Sequence, residues 1–209
     1  MRAGPTQDAS GDRPRMQRRA LRLEYATIAW NVGEAFLTIG LGIAAGSLAL
    51  IGFGTDSVIE VFASSVVVWH VRPGHEVDDP RRTRLALRLV GAAFLALAFV
   101  LAVVSVRDLV TGRRAGDSPW GIAYLSMTAV VMFGLAVEKR RTARALGSAP
   151  LASEASLTFL DGILSTLTLA GLTLNAVAGL WWADPAAALL VAFAAANEAR
   201  ENLREAARL

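Results

Sequence analysis

The sequence predicts an all-α, polytopic membrane protein with six transmembrane helices and both termini cytoplasmic. Three observations predict it. The 209 residues are 54% hydrophobic, with a mean hydropathy of +0.45, more apolar than a water-soluble domain of this size. The charges gather in short clusters between long apolar runs. The positive charges, in turn, fall almost entirely on alternate connections between those runs.

All but the last run are long enough, at about 1.5 Å per helical residue, to approach the roughly 30 Å of a bilayer core. Span 1 is expected over Leu23–Ala45, span 2 over Leu48–Trp69 and span 3 over Leu85–Val106. Span 4 follows over Trp120–Val137, span 5 over Ala155–Ala178 and span 6 over Pro185–Ala196. Span 6 is the shortest, and Trp181 and Trp182 anchor one end of it at an interface. Residues 23–199 thus form one six-helix transmembrane domain. Met1–Arg22 is polar and Arg-rich and has neither a short apolar core nor a small-residue cleavage site. It is expected to be a disordered basic cytoplasmic tail and not a signal peptide. Residues 200–209 are expected to continue helix 6 as a short cytoplasmic end.

Eighteen of the 21 Lys and Arg residues lie in the tail, after span 2, after span 4 and at the C-terminus. Only Arg107, Arg113 and Arg114 lie on the opposite side. That asymmetry sets the orientation, and an odd number of spans would destroy it. The same placement accounts for the net charge of +3 without a nucleic-acid partner. With no cysteine, no disulfide or thiolate ligand is available.

Span 2, within GSLALIGFGTDSVIEVFASSVVVWH, carries Asp56 and Glu60 four residues apart, and therefore on one helical face. A carboxylate near the bilayer centre costs roughly 2.5–3.5 kcal/mol on insertion scales, so ionisable residues there are functional candidates. Span 1 bears a polar stripe of Glu24, Thr27, Asn31, Glu34 and Thr38; span 5 bears Glu154, Thr158, Asp161, Ser165 and Thr168. The spacings of three and four keep each stripe on one face. Counted at about 1.5 Å per residue, Glu34 lies roughly 18 Å in from Arg22, Glu60 roughly 18 Å in from Arg72 and Asp161 roughly 16 Å in from Pro150. Asp56 lies one turn from that level, and Glu24 and Glu154 lie near the cytoplasmic mouth. With no Lys, Arg or His expected among them, these acids are either protonated or hold a cation. An oxygen site that exchanges a metal ion for protons satisfies both states, since carboxylates must lose protons to ligate. The Ser and Thr residues of the stripes are expected chiefly to bind helix to helix.

The residues GSLALIGFGTDSVIE, SEASLTFLDGILS in span 5 and WWADPAAALLVA at the start of span 6 resemble the cation diffusion facilitator (cation efflux) family. The likeness covers spans 1, 2, 5 and 6 and is closest to a short branch lacking the cytoplasmic C-terminal domain. It implies a homodimeric exporter of divalent metal ions, usually zinc, in exchange for protons. By position, it implies Asp56, Glu60 and Asp161 as metal ligands. Leu157 stands where the family places a fourth ligand, His or Asp, and Glu60 replaces the usual Asp. Glu34 or Asn31 is our candidate for completing the set. An all-oxygen set suits Mg, Mn or Fe better than Zn by hardness, and Zn also accepts carboxylates.

The expected function is therefore a proton-coupled divalent-cation exporter of the cell membrane, with lipid, the cation (Zn, Mn or Fe) and a second copy of the chain as partners. One alternative is an organic-cation exporter whose cavity is lined by Trp30, Phe36, Phe53 and Phe62. Another is a membrane metal-binding module that does not transport. No nucleophile–base arrangement suggests an enzyme. GFGTD is one residue longer than the GxGD element of intramembrane aspartyl proteases.

Overall fold

The computed structural model describes residues 8–44, 48–72, 79–112 and 119–209, with side chains for 13–41, 43, 54–72, 79–112, 122–175 and 177–209. Gly46, His75, Arg113 and Arg114 lie outside the described residues, as do the side chains of Gly42, Gly52 and Phe53. Everything described is helical or connecting, without strands. The helices are α1 (Asp8–Ala44), α2 (Leu48–Val71), α3 (Pro80–Thr111), α4 (Pro119–Leu146), α5 (Ala149–Ala178) and α6 (Ala183–Arg208). Among the described residues, Pro80–Thr111, Ile122–Leu146 and Ala149–Asn175 are long and apolar enough to cross a membrane.

Local chemistry sets several of these boundaries. Asp79 caps α3, its side chain accepting from the Arg81 amide at 2.9 Å, with a proline in the first turn. Ser148 caps α5 in the same way. α1 begins at Asp8, well inside the segment expected to be an unstructured tail. Its early turns have something to pack on: Ala20 is fully buried, Met16 lies against the core, and Arg19 pairs with Glu138 of α4. α6 runs unbroken to Arg208 because Ala199, Asn202 and Ala206 stay buried to its end.

The helices pair chiefly as α1 with α2, α3 with α6 and α4 with α5. α2 and α5 also meet, which closes the bundle around the faces of α1, α2 and α5. The exterior is apolar on every helix: Phe36 is 80% exposed, Val130 74% and Val177 83%, with Phe62, Phe99 and Phe193 also outward. The interior of α1 is its polar stripe, since Glu24, Thr27, Asn31, Glu34 and Thr38 are all buried. A helix with polar residues inward and phenylalanine outward is the inverse of a water-soluble one.

Two close approaches depend on missing side chains. A Cβ on Gly54 would lie 2.5 Å from Ile39 and Thr38 of α1, so this glycine lets α2 bring Asp56 against α1. A Cβ on Gly171 would lie 2.6 Å from the Asp184 Cβ and 2.8 Å from its Cα. Backbone cannot yield as a side-chain tip can. Gly171→Ala is therefore expected to pry the start of α6 from α5 and to cost about 1–3 kcal/mol. Thermal unfolding of the detergent-solubilised protein reads that loss.

Candidate functional site

Three polar stripes, on α1, α2 and α5, face one another and build two layers of buried acids. The deeper layer holds Glu34 from α1, Asp56 and Glu60 from α2, and Asp161 from α5, all less than 9% exposed. Asp161 faces Glu60, Asp56 and Glu34, and Asp56 faces Glu60 and Glu34. Each is carried there by a helical repeat: Asn31 and Glu34 on α1, Asp56 and Glu60 on α2, Thr158 and Asp161 on α5. Asn31 and Thr158 face Glu60, and the Asn31 amide nitrogen donates to the Thr27 carbonyl at 3.1 Å. The five residues singled out by sequence, Asn31, Glu34, Asp56, Glu60 and Asp161, are thus brought together. Among the described residues, no three His, Cys, Asp or Glu side chains already stand at the spacing that encloses a metal ion.

The second layer lies about two turns away along the same stripes, toward the end that carries the basic clusters. There the Lys139 ammonium of α4 is fully buried between two fully buried carboxylates. It donates to Glu154 Oε1 at 2.6 Å and Oε2 at 2.8 Å, and to Thr158 Oγ1 at 3.1 Å. Glu24 Oε2 lies 3.3 Å from it. Ser64 of α2 donates to Glu154 Oε1 at 2.8 Å. The expectation that the acids have no protein cation is therefore corrected for Glu24 and Glu154. Lys139 falls in the run Lys139–Arg140–Arg141, which reads as a solvated cluster. α4 keeps its helix through that run and turns Lys139 inward while Arg140 and Arg141 stay exposed. The lysine is also within electrostatic reach of Glu60.

The hydroxyls divide between their own helix and its neighbours. Thr27 and Thr38 donate to carbonyls of their own helix, those of Leu23 and Glu34, and so do Ser65 and Ser126. Ser64 and Thr158 reach across to Glu154 and Lys139 of another helix, and Ser57 and Thr168 face Glu34 and Asp184 of neighbouring helices.

Residues 25–209, which hold every stripe residue except Glu24, match the cation efflux transmembrane domain family. The chain belongs to the cation efflux family. Members of that family are membrane-embedded carriers of divalent cations and not enzymes, so this chain is a membrane protein of cation transport. The match takes in α2, α4, α5 and residues 25–44 of α1, so that Glu24 lies one residue before it.

Two residues of this region escape the sequence reading. Lys139 is one; the cue was two mouth-level acids, Glu24 and Glu154, left without a partner beside a basic run. Tyr124 of α4 is the other, and it faces Glu34. Tyr124 is easily passed over because a tyrosine is counted with the hydrophobic residues in the composition. Leu157 packs in the hydrophobic core and so adds no oxygen where the family resemblance places a ligand. His70 is fully buried at the end of α2.

Proposed function

We propose that this cation efflux protein exchanges a divalent metal cation for protons through Asp56, Glu60 and Asp161, with Glu34 and Asn31 completing the oxygen set. The observation that carries the reading is the deeper layer itself: four buried carboxyls from three helices, facing one another. In hydrocarbon, such a group is stable only with protons or a cation bound. Ligation requires loss of the protons, so each cation bound displaces protons and each cation released takes them back. Closing on the ion draws the acids together from their present spacing. The donor set is all oxygen, which favours Mn or Fe by hardness and also admits Zn.

In this reading all six helices cross the cell membrane, with both termini on the cytoplasmic side. The apolar exterior on every helix and the basic clusters at one end support it. Two copies associate through transmembrane helices, and alternating access rocks them around the fixed site. The organic-cation alternative needs an aromatic cavity, and Phe36 and Phe62, two of its candidate liners, lie on the exterior.

Purified protein in liposomes, tested with Zn, Mn, Fe and Co under an imposed pH gradient, decides the matter. Cation movement is expected to run opposite to the proton gradient and to reverse when the gradient is reversed. Lowering the pH equally on both sides is expected to weaken cation binding, because protons compete for the same oxygens. Flux indifferent to the gradient would end the antiport reading.

A further inference from the structure

Lys139 is the single lysine among the 21 Lys and Arg residues, and among the described residues it is the one of them that is buried. Its ammonium sits in a cradle made only of oxygen: both Glu154 oxygens, Thr158 Oγ1 and Glu24 Oε2, at 2.6–3.3 Å. Both Glu24 oxygens are buried without a hydrogen-bond partner and turned toward this cradle. The charges do not balance. Two carboxyl groups face one ammonium, so with both ionised the cradle is one negative charge in excess with Lys139 present and two without it. Two is the charge a divalent cation neutralises, and carboxylate and hydroxyl oxygens are the ligands hard divalent cations take.

We propose that Glu24, Glu154 and Thr158 form a second divalent-cation site, which Lys139 fills as a tethered cation until a travelling ion displaces it. The proposal rests on the reading of the chain as a cation carrier. Lysine suits this role where arginine does not: its charge is a compact point on a flexible stem, not a planar fork held by several fixed bonds. The exit lies close by, because Arg140 and Arg141 are already exposed. Lys139 can swing its ammonium to that end while its stem stays along the helix. The second site joins the deeper layer through Thr158, which touches Lys139 and faces Glu60. An ion arriving from the basic end meets the cradle first, and displacing Lys139 makes room for it to reach Glu60. While no ion is present, the tethered ammonium holds α1, α4 and α5 together and blocks that route.

Two measurements test this. The first removes the deeper site with Asp56→Asn, Glu60→Gln and Asp161→Asn in the full chain, then follows Mn and Zn binding by equilibrium dialysis. Adding Lys139→Met to that background is expected to tighten cation binding at least about tenfold, at one ion per chain. Adding Glu24→Gln and Glu154→Gln is expected to remove that ion again. Equal binding with and without Lys139 overturns the proposal, whether or not the deeper site transports. The second measurement uses the unmutated protein and does not depend on any variant folding. Lys139 carries the one side-chain amine in the chain, so acylation by a water-soluble amine reagent can be read on its peptide by mass. Saturating Mn or Zn is expected to speed acylation of Lys139 at least about tenfold. Unchanged or slower acylation with cation bound overturns the proposal. Failure of the parent to bind any cation, with a tight ion in the Lys139→Met background, would instead count against the deeper site alone.

Discussion

Asp161→Asn is expected to lower cation flux by more than about 100-fold, beyond what loss of a supporting contact around a metal costs, while leaving the protein folded. Asp161 is the one acid that α5 contributes to the deeper layer, where it faces Glu60, Asp56 and Glu34. Asparagine fills the same space but carries no charge and cannot lose a proton. It therefore removes a ligand and a proton acceptor in one step. The fold has little to lose, because the substitution takes away one of four acids that repel one another when ionised. Flux in liposomes together with thermal unfolding separates the two effects. Normal flux in a folded variant would remove Asp161 from the site. Leu157→Asp is a useful companion, since it places a carboxylate where the family resemblance expects one. It also buries a charge in a packed core position, so any gain in cation affinity has to outweigh that cost.

Glu154→Ala is expected to destabilise the bundle by about 3–5 kcal/mol, the usual cost of stripping one partner from a buried ion pair. Glu154 makes the two shortest contacts to Lys139 and also accepts from Ser64. Its loss leaves a fully buried ammonium with Glu24 at 3.3 Å and Thr158 at 3.1 Å. Glu24→Ala is expected to cost less, because the 2.6 Å and 2.8 Å contacts to Glu154 survive. Replacing Lys139, Glu24 and Glu154 together by Met, Gln and Gln is expected to cost less than Glu154→Ala alone, since no uncompensated charge remains. Thermal unfolding in one detergent ranks the three. Glu154→Ala as mild as Glu24→Ala would mean that the pair does not bind α4 to α5.

Much of this architecture can be read from hydropathy and charge. The apolar runs locate all six helices. Period-3.6 stripes on α1 and α5 reveal which faces turn inward, because turning a row of acids and amides toward hydrocarbon would cost several kcal/mol. Asp56 and Glu60 stand out for the same reason. Depth counted from Arg22, Arg72 and Pro150 brings Glu34, Glu60 and Asp161 to one level, and in the structure Asp161 faces the other two. What escapes is whatever depends on side-chain direction at a helix end. Lys139 sits one helical step from exposed arginines, and sequence alone does not say which member of a basic run turns inward. The early turns of α1 are hidden differently. Their Arg-rich composition and Pro14 suggest a loose tail, and only tertiary partners such as Glu138 make a helix of them. Tyr124 is passed over among the residues counted as hydrophobic, although its hydroxyl faces Glu34.

Proton release on cation binding tests the central claim most directly. Mn or Zn added to the purified protein in weak buffer near neutral pH is expected to liberate protons in proportion to the cation bound, and the signal is expected to vanish in Asp56→Asn/Asp161→Asn. Cation bound without protons released, or release that persists unchanged in that variant, would contradict it.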